Sequence, residues 1–188
     1  QMDPGAFAGF KPDQMAKMPP DAFAGFKSDQ MAQMDPGAFA GFKPDQMAKM
    51  APAAFAGFKP EHMKEMLPAA FAGFKPDQMA KMAPDVFGAF DSDQMKEMAP
   101  LAFAGIDADQ MKEMAKEAFK GFQPEGLAAL APKVVAAFTE DQFKELAADA
   151  FAGFMGDQVE QLDPELIAEI GVEPVSYTHL TLPTILRV

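Results

Sequence analysis

The chain has 188 residues, no cysteine, 49% hydrophobic residues and a formal net charge of −12 at pH 7. Without cysteine it forms no disulfide, thiolate zinc site or cysteine nucleophile. The acidic balance argues against nucleic acid as a partner, because phosphate binding needs clustered Lys and Arg. No apolar run approaches the roughly 20 residues that a membrane-spanning helix needs.

The acidic charge is concentrated in the second part of the chain. Residues 1–80 hold 8 Lys and 9 acidic residues, whereas residues 81–188 hold 8 basic and 19 acidic residues. The difference has two interpretations, drift among solvated repeat surfaces or an acidic end that attracts cations or a basic partner.

A unit of 16 residues repeats along nearly the whole chain, and Pro36 to Ala51 shows it in full as P-G-A-F-A-G-F-K-P-D-Q-M-A-K-M-A. Val135 and Ile167 continue the spacing of its first Phe, which recurs at Phe7, Phe23, Phe39, Phe55, Phe71, Phe87, Phe103, Phe119 and Phe151. A fixed period in this range is typical of stacked repeat architectures. We therefore predict a repeat array over residues 1–172. Met2 holds a repeat position, so we expect this array to be a fragment of a longer one.

Each repeat divides into two halves of equal length with the pattern P-x-x-Φ-x-x-Φ-x, where Φ is Phe in the first half and Met in the second. A Pro in every half would break a long helix but suits the first position of a short one. The fold is predicted to be all-α, a solenoid or superhelix of short helix pairs with about 11 repeats. Ten or so repeats that each advance one helix-packing distance would make a rod roughly 80–100 Å long. The predicted core positions are Phe7, Phe10, Met15, Met18, Phe39, Phe42, Met47, Met50, Phe71, Phe74, Met79 and Met82.

The second half of each repeat carries an acidic residue at its second helical position. Such a charge stabilises the positive end of a helix, and Thr139 with Gln142 forms a capping box. Calcium binding is the alternative, but calcium needs six to eight oxygens around one point. The residues concerned are Asp13, Asp29, Asp45, Glu61, Asp77, Asp93, Asp109, Glu125, Asp141 and Asp157.

Methionine pairs spaced M-x-x-M occur seven times, from Met15 and Met18 to Met111 and Met114. Thioether sulfurs are ligands for Cu(I). Later repeats place Leu, Phe or Val at the same positions, however, and none of these can bind copper. The pattern therefore favours core packing, with Cu(I) binding as a remote alternative.

A glycine recurs between the two Phe residues of the first half, and Ala replaces it at Ala89 and Ala137. Because Ala is accepted, an obligatory positive φ is not indicated. Close packing or an open groove for a peptide or protein explains the pattern. The glycines concerned are Gly9, Gly25, Gly41, Gly57, Gly73, Gly105, Gly121 and Gly153.

Residues typical of catalysis are few and scattered. His62 replaces Gln in one repeat, and Ser28 and Ser92 stand at helix starts. None has a nucleophile, base or second ligand at a recognisable spacing. We predict neither catalytic residues, nor a cofactor, nor a resident metal, and interpret the chain as non-enzymatic.

The composition changes after Pro174, and residues 173–188 are predicted to be a separate, non-repeat tail. Its sequence V-S-Y-T-H-L-T-L-P-T-I-L-R-V includes Tyr177, His179 and Arg187. It resembles translated adapter DNA at the ends of truncated reading frames from environmental sequencing, and by pattern alone it could also be a capping strand. We draw no functional inference from it.

The P-x-A-F-A-G-F and P-D-Q-M-A-K-M units resemble short-period helical repeats of large bacterial proteins, in which such arrays sometimes adjoin surface or secretion modules. The resemblance implies a spacer or scaffold segment of a larger, secreted or surface protein. The alternative is a binding solenoid with a Gly/Ala-lined groove. Self-association through the solenoid ends is a further expectation, because open ends expose core surface.

Overall fold

The computed structural model describes residues 8–164, and all of their regular elements are short helices. Eleven are α-helices: α1 (Pro12–Lys17), α2 (Ser28–Gln33), α3 (Pro44–Lys49), α4 (Pro60–Glu65), α5 (Pro76–Met79), α6 (Ser92–Glu97), α7 (Ala108–Glu113), α8 (Pro124–Ala129), α9 (Pro132–Val135), α10 (Glu140–Lys144) and α11 (Gly156–Val159). Between them lie the 3₁₀ helices Pro20–Gly25, Pro36–Gly41, Pro52–Gly57, Pro68–Gly73, Pro84–Ala89, Pro100–Gly105, Lys116–Gly121 and Ala150–Gly153. The all-α solenoid is therefore confirmed.

Each half-repeat is one short helix followed by an extended corner. Met50 and Ala51, for example, have φ of −66° and −63° and ψ of 135° and 139°. Pro52 follows them, and a proline disfavours helical geometry in the residue before it. The Pro that opens one helix thus also ends the preceding one. Helices that are not followed by Pro, such as Pro20–Gly25 before Ser28 and Pro84–Ala89 before Ser92, end at the same kind of extended corner.

Three half-repeats make one turn of the superhelix. Helix α3 packs on the 3₁₀ helix Pro20–Gly25, three half-repeats earlier in the chain, and on Pro68–Gly73, three half-repeats later. The same offset of three half-repeats relates the other packed helices. The solenoid therefore has three sides, and one turn is half as long again as the sequence repeat, which has two halves.

The three sides are defined by which helices stack on one another. Side 1 holds α1, Pro36–Gly41, α4, Pro84–Ala89, α7, α9 and α11. Side 2 holds Pro20–Gly25, α3, Pro68–Gly73, α6, Lys116–Gly121 and α10. Side 3 holds α2, Pro52–Gly57, α5, Pro100–Gly105, α8 and Ala150–Gly153. Because a turn has an odd number of half-repeats, α-helix and 3₁₀ helix alternate up each side until α9.

One apolar core runs inside the three sides. Phe and Met alternate along it, and aromatic pairs join neighbouring repeats edge to face, as where the ring centroids of Phe23 and Phe42 lie 5.4 Å apart. Of the predicted core positions, Phe10 and Met18 are half-buried and Phe7 lies outside the described residues. The others are buried: Met15, Phe39, Phe42, Met47, Met50, Phe71, Phe74, Met79 and Met82.

The longer turn makes the rod shorter than the sequence suggested. Residues 8–164 complete about six and a half turns, which at one helix-packing distance each gives roughly 50–65 Å. The expected length of roughly 80–100 Å assumed that every sequence repeat adds a layer. No helix among the described residues is long and apolar enough to cross a membrane. The predicted tail, residues 173–188, lies outside the described part of the chain.

Candidate functional site

The most regular polar feature of the molecule is a ladder of buried glutamines that joins successive turns. Each side-chain Nε2 donates to two backbone carbonyls, those of the residues 31 and 28 positions earlier, over 2.7–3.0 Å. Each Oε1 accepts the backbone N–H three residues earlier, over 2.8–3.1 Å. The ladder consists of Gln46, Gln78, Gln94, Gln110, Gln142 and Gln158.

The ladder glutamines use both atoms of their own side-chain amides in hydrogen bonds. They also provide donors for backbone carbonyls at the corners of the turn below. Gln46, for example, caps the backbone of its own helix start and binds the carbonyls of Met15 and Met18 at the end of α1. The Met15 carbonyl also accepts the Met18 N–H at 3.1 Å, so the glutamine adds a second hydrogen bond there. Across residues 8–164, no buried side-chain nitrogen or oxygen lacks a hydrogen-bond partner.

The sequence alone did not reveal this role of the glutamines. It identified a capping box only at Thr139 and Gln142, which the structure forms, with Thr139 Oγ1 accepting from the Gln142 N–H at 3.2 Å. The available signal was the recurrence of Gln beside a core Met. A residue that only capped its own helix could be replaced by Glu, whereas donation to two carbonyls requires an amide.

The recurring glycines lie between turns. A Cβ added to Gly41 would stand 1.9 Å from the carbonyl oxygen of Pro12, and Gly73 meets Pro44 in the same way. Close packing therefore accounts for six of the glycines, and a groove open to solvent does not fit them: Gly41, Gly57, Gly73, Gly105, Gly121 and Gly153. Gly9 and Gly25 lie near the start of the described range, and no atom lies within 4 Å of the position that a Cβ would take there.

Of the ten acidic residues at the second helical position, three accept a backbone N–H at the start of their own helix. The Asp45 Oδ1 accepts the Gln46 N–H at 2.9 Å, and Asp29 and Asp157 make the same bond. Successive acids of the series are two half-repeats apart, whereas one turn has three half-repeats. Neighbouring acids therefore lie on different sides of the rod. In the described part of the chain, no cluster of three or more His, Cys, Asp or Glu side chains could hold a metal ion.

The methionine pairs face the core rather than a solvent-accessible site. Met47 and Met50 are 0% and 2% exposed, and Phe and Met side chains surround them in one continuous cluster. Such burial is consistent with a packing role, in which the flexible thioether fills gaps between rings. The Cu(I) hypothesis gains no support from this geometry.

His62 occupies a rung of the ladder in α4. It is 1% exposed, its Nδ1 accepts the Lys59 N–H at 3.1 Å, and its ring stacks on Phe39 with centroids 4.2 Å apart. Burial lowers the pKa of His62 below its ordinary value of 6.5, and Glu61 opposes that shift. The other residues considered for catalysis, Ser28 and Ser92, are the first residues of α2 and α6.

The outer surface of side 2 carries ion pairs between turns. They join Lys49 to Asp21 at 3.1 Å, Lys120 to Glu145 at 3.0 Å and Lys116 to Asp141 at 4.0 Å. Exposed pairs of this kind add little stability, so the turns are held mainly by the core and the glutamine ladder.

Comparison with known proteins gives no family assignment. No protein-family model matches the chain, and no curated protein matches it either.

Proposed function

We propose that this chain is a non-enzymatic structural rod, a spacer or scaffold segment within a larger protein. The observation that carries the proposal is the glutamine ladder, which joins turn to turn from Gln46 to Gln158, with His62 and Gly126 in place of two of its glutamines. A continuous core and buried bonds of this kind suit a stiff element that keeps its two ends at a fixed separation. The resemblance to repeats of large bacterial proteins supports the same function and an extracellular setting.

The outer surface agrees with a spacer better than with a binding module. The large exposed hydrophobic side chains of the described residues are Leu67, Leu101 and Met155, and they lie in different turns. A docking groove would bring such residues together. The glycine-lined groove, which was the main alternative, does not fit the six glycines that the preceding turn covers.

Stiffness can be tested with distances between spin labels, because the chain contains no cysteine. Ala24 and Ala152 are exposed and about five turns apart. With both replaced by labelled Cys, we expect one narrow distance distribution centred roughly at 40–55 Å. The matched control joins Ala24 to the exposed Lys96, three turns away on side 2, and should give roughly 25–30 Å.

A flexible string of helices would give a different result. In that case the Ala24–Ala152 distribution would be broad, and its mean would not scale with the number of turns. That outcome would contradict the rod and with it the spacer function.

A further inference from the structure

The histidine rung differs from the glutamine rungs in what it can donate. A ladder amide donates two N–H bonds, whereas an imidazole whose Nδ1 accepts from Lys59 keeps one N–H, at Nε2. The two carbonyls below His62, at the offsets that the ladder glutamines use, belong to Met31 and Met34. One N–H cannot serve both as an amide does. The turn at α4 is therefore bound less firmly to the turn below than its neighbours are.

The hydrogen bond at Nδ1 also depends on the protonation of the ring. Neutral His62 accepts the Lys59 N–H, but a protonated imidazole carries a hydrogen at Nδ1 and cannot accept. Protonation would place the Nδ1–H of His62 against the Lys59 backbone N–H inside the core, where two donors cannot bond. No comparable change occurs at Gln46 or Gln78, because an amide does not titrate.

The charges around His62 do not provide a strong partner for an imidazolium ion. On its own turn, Glu61 raises the pKa of His62 and Lys59 lowers it, while Lys64 and Glu65 are exposed on α4. From the turn below, Asp35 and the Met34 carbonyl raise the pKa by less than burial lowers it.

Neither helix stacked on α4 adds a buried charge. The 3₁₀ helix Pro36–Gly41 has no titratable side chain, and Lys43 after it is exposed. Asp85, in the helix above, is exposed as well.

The turn above α4 departs from the regular packing too. Ala89 takes the position of the recurring glycine. By the same offset that places Gly73 over Pro44, Ala89 is placed over Pro60 at the start of α4. At the regular glycines a Cβ would come within 2.0 Å of that carbonyl oxygen. The Ala89 methyl group therefore excludes the closest approach, and α4 has a weakened contact on both sides.

We propose that the α4 turn is a pH-sensitive joint: protonation of His62 removes the Lys59 bond, and the rod opens locally at α4 while the turns on either side stay packed. This inference does not depend on the spacer function. A rod built in this way would be stiff at neutral pH and jointed after acidification.

The direction of the pH dependence follows from the lowered pKa. Above the unfolded value of 6.5, His62 is neutral in both states and its contribution to stability is complete. As the pH falls below 6.5, the unfolded chain takes up a proton that the folded chain does not, so stability is lost until the folded pKa is reached.

The test compares the native chain with His62→Gln by urea denaturation from pH 7.5 to 5.0. Relative to that variant, the native unfolding constant should rise by up to about tenfold per pH unit below the unfolded pKa. The comparison cancels His179 and the carboxylates, which both proteins share. Gln46→His, which has a lysine, an acid and Phe23 at the same offsets, should gain the same dependence.

Local opening is tested by amide exchange of the folded chain, corrected for intrinsic rates at each pH. We expect amides of α4 and its Lys59 corner to lose up to about tenfold in protection between pH 7.5 and 5.5, before those of α7 and α10. Parallel pH profiles for the native chain and His62→Gln would overturn the proposal. Simultaneous loss along the whole array would overturn the local joint.

Discussion

At the scale of single residues, the glycines between turns set how closely the layers approach. None of the six covered glycines has a positive φ, so the requirement is space rather than backbone conformation. An Ala Cβ at Gly73 would press on the Pro44 carbonyl, which belongs to the backbone and cannot swing aside. The spacing of the turns therefore depends on a missing methyl group.

We predict that Gly73→Ala destabilises the fold by about 1–3 kcal/mol through overpacking. Gly25→Ala is the matched control, because it changes the same repeat position where nothing lies within 4 Å. Its effect should stay within about 0.5 kcal/mol. Urea midpoints of both variants give the answer. Equal losses would show that glycine is needed for some reason other than layer contact.

At the scale of the helices, the start of each second-half helix differs between the two parts of the array. Asp91 and Asp107 cap α6 and α7, each accepting two backbone N–H bonds. Lys43 stands at the same position before α3 and cannot accept a hydrogen bond, so only Gln46 reaches back. The lysine positions therefore have a weaker cap than Asp91 and Asp107 have.

Lys43→Asp should therefore stabilise the chain by about 0.5–1 kcal/mol, since it supplies the cap and places a negative charge at the helix start. Lys49→Asp makes the same change of charge in the last turn of α3. There it removes the Asp21 ion pair and opposes the helix dipole, so it should be neutral or destabilising. Thermal denaturation in one buffer compares the two. Equal gains would indicate an effect of net charge alone.

The helices could be predicted from the sequence, but their stacking could not. Pro and the acidic residues mark each start, and the paired Phe or Met mark the buried side. The two halves of a repeat share that pattern, so nothing in it separates a 3₁₀ helix such as Pro52–Gly57 from α3. The angle at each corner, and hence three sides per turn, depends on the backbone of two extended residues that carry no distinctive chemistry.

At the scale of the whole molecule, the turn and the sequence repeat have different lengths. Two half-repeats form a repeat and three form a turn, so every α-helix of the regular part stacks on a 3₁₀ helix. This alternation brings each covered glycine over the first carbonyl of an α-helix. It also predicts how deletions affect stability. The prediction differs from that of a solenoid in which each sequence repeat forms one layer.

Removing residues 44–59, one whole repeat, should keep the fold, because α-helices still fall on 3₁₀ helices throughout. Removing residues 44–51 alone takes out half as much chain but shifts the later half-repeats by one. The 3₁₀ helix Pro52–Gly57 would then stack on Pro20–Gly25, and Gly57 would lose its α-helical carbonyl partner. We expect the shorter deletion to lower the melting temperature far more than the longer one, as circular dichroism would show. If loss of stability simply followed the number of residues removed, the three-sided stacking would be wrong.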